Sequence, residues 1–215
     1  MIDSYKHIGL RMALVEHLRK KGIKDENVLA AIGAVPRHFF LDSAFEEHAY
    51  QDKAFAIGEG QTISQPYTVA FQTELLEVKP GDKILEIGTG SGYQAAILVY
   101  MGAKVFSIEC KRKLLVRAKK TLALLNMKPT LLFGDGSIGL PSQAPFQGIV
   151  VTAAAPAVPP ALIEQLDEGG RLVIPVGSLE QQRMLRIVKK NGKPVVETFD
   201  FFAFVPLTGK FGWKE

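Results

Sequence analysis

The sequence predicts an α/β fold: a doubly wound, mostly parallel sheet with helices on both faces, closed by an antiparallel strand at its C-terminal edge. Three observations predict it. From Ile84 onward, short apolar runs alternate with helical segments, the pattern of parallel strands joined by crossover helices. The runs are apolar almost without interruption, as in strands covered on both faces. Near the end, Asn191-Gly192 separates two strand-like runs, and that dipeptide is well suited to a tight antiparallel hairpin turn.

Taken in order, two amphipathic helical stretches come first, over residues 4–20 and 25–34. The second opens at Asp25, a residue type suited to capping a helix, and Pro36 ends it. The parallel strands fall at 83–87, 104–108, 130–133, 148–152 and 171–176, and the hairpin strands at 184–188 and 195–205. Strict alternation in the last strand puts Phe199, Phe201, Ala203 and Val205 on one face and Asp200, Phe202 and Phe204 on the other. These aromatics are first assigned to core packing. No internal repeat or low-complexity segment interrupts the chain. Residues 1–215 read as one domain: 1–80 hold the N-terminal helices and an active-site segment, and 81–215 the cofactor-binding sheet with its hairpin.

Composition narrows the function classes. With 47% apolar residues in 215, the chain can bury a full core. No apolar run approaches the roughly 20 residues a membrane-spanning helix needs. The N-terminus opens with Asp3 and has no apolar signal core, so an unexported, cytoplasmic chain is expected. Cys110 is the only cysteine, which excludes an intramolecular disulfide and a thiolate zinc cluster. His7, His17, His38 and His48 are scattered without metal-ligand spacing, so they read as surface or helix residues and no metal is expected. Lys111, Arg112, Lys113, Arg117, Lys119 and Lys120 crowd one segment, but Leu114, Leu115, Ala118 and Leu122 recur among them at helical spacing. That is a solvated helix with one buried stripe rather than a nucleic-acid patch, and no RNA-binding aromatic signature accompanies it.

The chemistry starts at residues 84–93, an apolar strand followed by Gly88, Gly90 and Gly92 at every second position. A pyrophosphate-binding turn reads G-x-G-x-x-G, and Tyr93 stands where its third glycine belongs. Glu86, inside the strand, opposes a phosphate but suits the cationic amino-acid end of a ligand. The turn therefore points to S-adenosyl-L-methionine, with Gly88, Gly90, Ser91 and Gly92 around it, more than to a dinucleotide. Glu109 follows the next strand, where nucleoside-binding folds place an acid for the ribose hydroxyls. Asp135, between Gly134 and Gly136, follows the third and has the reach for an adenine amino group. All three stand at carboxyl ends of predicted parallel strands, where open α/β sheets bind ligands.

Upstream, residues 56–67 combine turn-forming glycines with the neutral hydrogen-bonding side chains Gln61, Thr62, Ser64 and Gln65. This segment is specific. Thr62-Ile63-Ser64-Gln65-Pro66, then Glu86-Ile87-Gly88-Thr89-Gly90-Ser91-Gly92-Tyr93, resemble the protein-L-isoaspartate O-methyltransferase family. So do Ala49-Tyr50, Gly134 to Gly136, Ala144-Pro145-Phe146, Val151 to Pro156, Gly169 to Gly177 and Phe204 to Leu207, in the family's order over most of the chain. The resemblance implies a class I, Rossmann-like methyltransferase that uses S-adenosyl-L-methionine and releases S-adenosyl-L-homocysteine. It implies Ser64 as the active-site serine, with Ile63, Gln65, Pro66 and Tyr67 lining the cofactor and substrate. It further implies Glu109 at the ribose, Asp135 and Gly136 at the adenine, Thr208 as a late cofactor contact, and Thr62, Phe204 and Val205 along the substrate peptide. Three departures stand out: Gln147 where the family usually has aspartate, Cys110 where arginine is common, and Ala54-Phe55 where a Pro-Leu pair is usual.

The implied reaction is methyl transfer to the free α-carboxylate of an L-isoaspartyl residue in damaged proteins and peptides, initiating repair through a succinimide, by a monomer with no nucleic-acid or membrane partner. A carboxylate of pKa about 4 is already ionised at neutral pH and needs no general base. The alternatives are another class I methyltransferase acting on a small molecule or RNA, and a non-catalytic nucleoside-binding module. A nicotinamide oxidoreductase is disfavoured by Tyr93 and by the lack of a second nucleotide-binding half.

Overall fold

The structure, a computed structural model, describes residues 2–214. Helix α1 (Tyr5–Lys20) packs on α2 (Glu26–Ala34), and the Asp25 carboxylate caps α2 by accepting the Asn27 and Val28 N–H groups, as its residue type predicts. The segment read as a turn-rich connection is a small antiparallel hairpin, β1 (Phe55–Gly58) and β2 (Gln61–Ile63). It reverses at Glu59-Gly60, both in the left-handed region, the backbone of a tight primed turn. Helix α3 (Pro66–Leu76) follows directly, with Pro66 in its first turn, where a missing N–H costs no helical bond. The Glu74 carboxylate at its far end accepts the backbone N–H groups of Lys24 and Asp25, which ties α3 to the α1–α2 linker.

The main sheet uses β3 (Lys83–Ile87), β4 (Lys104–Glu109), β5 (Thr130–Phe133), β6 (Phe146–Val151), β7 (Leu166–Gly177), β8 (Gln182–Lys190) and β9 (Lys193–Phe202). Their spatial order is β5-β4-β3-β6-β7-β8-β9. β5 through β7 pair in parallel, while β8 and β9 add an antiparallel edge. The chain leaves β3 toward β4 and β5, then returns to the other side of β3 as β6. That reversal opens a crevice at the carboxyl ends of β3 and β6, where such sheets bind ligands. α4 (Tyr93–Tyr100) and α5 (Arg112–Leu124) are the outward crossovers, and the short α6 (Pro160–Glu164) joins β6 to β7.

Alternation along β3 sorts the core into two layers. Ile84 joins Val105, Val150 and Val173 beneath the larger helices, with Leu14, Leu18, Leu29 and Ile32. Leu85 and Ile87 join Phe106, Ile149, Leu172 and Leu162 on the opposite face. On α5 the predicted stripe Leu114, Leu115, Ala118 and Leu122 is buried. Among the described residues, no helix is long and apolar enough to cross a membrane.

Several expectations need correction. β6 and β7 start earlier than predicted: beyond a register shift at Gln147, Phe146 pairs with Leu166, and Gly169 and Gly170 lie inside β7. β9 stops at Phe202, three residues short of the expected strand, and a register shift opposite Met184 breaks its alternation. Phe199 therefore packs on the same core as Phe202 and Phe204 instead of facing away from them. Beyond β9 the ladder is replaced by a side chain, as Gln182 Oε1 accepts the Phe204 N–H at 2.9 Å. The segment then runs beside Ala154, whose N–H bonds Val205 O and whose carbonyl accepts from Leu207 N, both at 2.8 Å.

His7 and His38 are not scattered surface residues. Both are buried and their rings stack at 4.0 Å, with His38 Nδ1 sharing a 2.7 Å hydrogen bond with Tyr50 OH. Their nitrogens and an Asp3 oxygen come together in one cluster, but the Asp3 carboxylate is engaged by both terminal nitrogens of Arg11, at 2.9 and 3.1 Å. The sequence separation of 31 residues gave no sign of this pairing.

Gln147 explains its own presence. Its Oε1 accepts the Lys83 N–H at 2.9 Å and its Nε2 donates to Asp167 Oδ2 at 2.8 Å, so one amide spans β3, β6 and β7. An aspartate there would offer no donor to Asp167. Gln147→Ala should lower unfolding free energy by about 1–3 kcal/mol, the range for partly buried hydrogen bonds left unpaired, as read by urea denaturation; an unchanged midpoint would contradict the bridging role.

Candidate active site

The glycine turn between β3 and α4 is pinned from both neighbouring strands. On the β4 side, the Gly88 and Thr89 N–H groups donate to Ile108 O at 2.9 and 3.3 Å, and the Gly90 N–H donates to Glu109 Oε2 at 2.7 Å. On the β6 side, the Thr152 hydroxyl reaches the Gly88 carbonyl at 2.7 Å. Gly88, Gly90 and Gly92 have φ of 94°, 52° and 90°, a region that L side chains enter only with strain. Gly92 is demanded twice, because a Cβ on it would stand 3.0 Å from Leu122 and 3.3 Å from Ala118 of α5. Tyr93 is wholly buried, edge-on to Phe40 and 4.9 Å from the Arg37 guanidinium. It anchors α4 rather than approaching a phosphate.

A cleft opens above this turn, at the carboxyl ends of the central strands where such sheets bind ligands. Its wall includes Thr62, Ile63, Ser64, Glu86, Gly88, Gly90, Ser91, Glu109, Gly136, Val205 and Thr208. Glu86 is fully buried. Ser107 donates to its Oε2 at 2.5 Å and shares a second bond with Thr89 Oγ1 at 2.6 Å, while Oε1 has no hydrogen-bond partner. Burial pushes this carboxyl up to about 8 and the neighbouring Glu109 charge adds to the effect, against the Ser107 hydroxyl and the Ala95 N–H. Glu109 holds two backbone N–H groups, those of Gly90 and Lys111, leaving about two of its roughly four acceptor positions for a ligand.

This donor set fits a nucleoside carrying a cationic amino acid. An ammonium group would pair with the orphaned Glu86 oxygen, and ribose hydroxyls would find the remaining Glu109 acceptors. A phosphate would meet the Glu109 carboxylate at close range. Asp135, expected at the adenine, lies beside the cleft. It lines a neighbouring cavity that shares Cys110 and Thr208 with the cleft, and its oxygens already accept from Ser137 N, Ser137 Oγ and Lys210 N at 2.7 to 2.8 Å. Burial raises its pKa, but these bonds outweigh burial and the net shift is downward. Asp135 thus holds the C-terminal segment against the side of the cleft formed by Cys110 and Thr208.

A second cavity meets the first. Gln65, Tyr67, Phe204 and Lys21 line it, and Thr62, Ser64, Thr152 and Val205 belong to both walls. Gln65 and Tyr67, grouped with the cofactor by resemblance, therefore face this second cavity only, and Pro66 is packed into the start of α3 away from both. The reason is α3, which turns the chain away from the cleft immediately after Ser64. Two contributors escaped sequence reasoning. Thr152 follows β6 directly, so the strand-end rule that picked out Glu109 would have found it. Lys21 follows α1, bonded to Asp52 at 2.7 Å and 4.4 Å from the Tyr67 ring, and no local signal marks it.

Comparison with known proteins agrees with this geometry. The sequence profile of the protein-L-isoaspartate(D-aspartate) O-methyltransferases matches residues 10–212. The chain belongs to that family. A protein-L-isoaspartate O-methyltransferase of Cytophaga hutchinsonii is 58% identical over 215 residues, covering 100% of this chain and 97% of the relative. One from Christiangramia forsetii is 56% identical over 209 residues, 96% of this chain and 98% of the relative. Among solved structures, a protein-L-isoaspartate O-methyltransferase superposes with a TM-score of 0.85 at 31% identity, over 94% of this chain and 67% of that one. A putative family member from Plasmodium falciparum, in complex with S-adenosyl-L-homocysteine, gives 0.81 at 26% identity, over 92% and 98% of the two chains.

The buried glutamate makes the ligand-free family member pH-sensitive. Glu86 is protonated in the folded chain up to about pH 8, but ionises near its ordinary 4.5 once unfolded. The folded state then binds more protons than the unfolded state between those values, so stability falls as pH rises through that window. Glu86→Gln should flatten the dependence, measured as unfolding free energy from pH 5 to 8 without ligand; an equal slope in both proteins would refute the assignment.

Proposed function

We propose that the chain transfers the methyl group of S-adenosyl-L-methionine to the free α-carboxylate of L-isoaspartyl residues in damaged proteins and peptides, the first step of repair through a succinimide. Family membership over nearly the whole chain supports the reaction. The observation that carries its location is the shared wall of the two cavities at Thr62, Ser64, Thr152 and Val205, which brings a donor site and an acceptor site into contact.

When bound, the cofactor supplies an electrophilic methyl on a sulfonium. Glu86 would hold its ammonium group and Glu109 its ribose hydroxyls, with Gly88, Gly90, Ser91 and Gly92 of the turn and Ile63, Gly136 and Thr208 also lining the site. Residues Phe204 and Val205 border the path of the substrate peptide, in a cavity that Gln65 and Tyr67 also line. Ser64 stands at the junction, only partly buried, and orients the attacking carboxylate by a hydrogen bond. The carboxylate is ionised at neutral pH and requires no base, so the site's work is to align two groups whose charges cancel during transfer. The protein acts as a cytoplasmic, single-domain monomer on polypeptides rather than nucleic acids. The solvated basic face of α5, over a buried apolar stripe, supports the last point.

The deciding experiment compares methyl transfer to an isoaspartyl peptide and to its normal aspartyl counterpart. Transfer to the first alone is expected, and transfer to neither removes the reading. Ser64→Ala should reduce turnover on the isoaspartyl peptide while S-adenosyl-L-homocysteine affinity is retained; wild-type turnover would exclude the orienting role. Glu109→Ala should weaken S-adenosyl-L-homocysteine binding by about 1–3 kcal/mol, the scale of lost charged hydrogen bonds, as measured by calorimetry. An unchanged affinity would take Glu109 out of the ribose site.

A further inference from the structure

We infer that Thr152 is a positioning residue whose hydroxyl sets the height of the glycine turn, and through it the affinity for the cofactor. The inference rests on the cofactor reading proposed above. Thr152 directly follows β6, on the opposite side of β3 from Ile108 and Glu109. Its Oγ1 lies 2.7 Å from Gly88 O and 3.0 Å from Ile87 O. A hydroxyl has one proton, and Ile87 O already accepts the Thr152 N–H at 3.0 Å. The shorter contact, to Gly88, is therefore the bond the side chain serves.

The two residues require each other. A Cβ on Gly88 would stand 2.6 Å from Thr152 Oγ1, so only a glycine lets the hydroxyl approach so closely. Conversely, an oxygen-to-oxygen distance of 2.7 Å is attractive only when a hydrogen bond fills it. With the N–H groups of Gly88 and Thr89 held by Ile108 O, the peptide planes of the turn are gripped on both sides. Thr152 is the grip on the β6 side. Because the neighbouring turn residues bind Glu109 and follow Glu86, slack at Gly88 displaces the floor on which both carboxylates meet the ligand.

The test is calorimetry of S-adenosyl-L-homocysteine binding to the full chain and to Thr152→Val, Thr152→Ala and Thr152→Ser. The valine and alanine variants should bind about tenfold more weakly, as expected for one lost hydrogen bond, whereas serine should stay within about twofold of the wild type. In steady-state assays the KM for S-adenosyl-L-methionine should rise in valine and alanine by more than kcat at saturating donor falls. A purely structural role would not produce that split, nor rescue by serine. Wild-type affinity in both valine and alanine variants, or equal weakening in serine and alanine, would overturn the inference. So would loss of fold in both valine and alanine variants by circular dichroism, which would make the hydroxyl a folding element. If the wild type itself fails to bind S-adenosyl-L-homocysteine, the failure belongs to the proposed function instead.

Discussion

The molecule is organised around one constraint: a turn of left-handed glycines must be held rigid at the centre of the sheet with its backbone exposed to a ligand. Such a turn has few side chains of its own to lock it, so neighbouring elements lock it instead. Ile108 and Glu109 hold its N–H groups from β4, Thr152 holds a carbonyl from β6, and Leu122 and Ala118 of α5 close on Gly92. The strand order puts β4 and β6 on either side of β3, so the topology that opens the crevice also supplies the residues that brace it.

Electrostatics follow from the same arrangement. Packing the turn tightly leaves Glu86 wholly buried with one oxygen unpartnered, near a second carboxylate whose bonds go to backbone amides. Isolated buried charge is costly, and the raised pKa of Glu86 shows the chain relieving that cost by protonation. A cationic ligand relieves it in another way, by supplying the missing counter-charge.

Much of this was legible in the sequence because the decisive signals are local. The glycine spacing, Glu109 after its strand, the Asn191-Gly192 hairpin and the buried stripe of α5 each follow from neighbours a few residues away, and each is found where it was expected. Signals that depend on tertiary pairing were not legible. The register shift that turns Phe199 inward, the amide of Gln147 across three strands and the His7–His38 stack all arise between segments distant in sequence. In the site, residue types were easier to read than their sides: Gln65 and Tyr67 were identified as lining residues, but only the direction of α3 reveals which cavity they face.

The segment after β9 carries no helix or long strand, yet it is tied down at many points. Leu207 N reaches Ala154 O, the Trp213 indole reaches the same carbonyl at 3.2 Å, Lys210 N reaches Asp135 and Phe211 N reaches Ser137. Thr208, within it, forms part of the ligand cleft. These ties make the Thr208 side of the cleft depend on partners far away in the sequence, at Asp135, Ser137 and Ala154. That side of the pocket is consequently an assembled wall, standing only while the segment stays docked on the loops that follow β5 and β6.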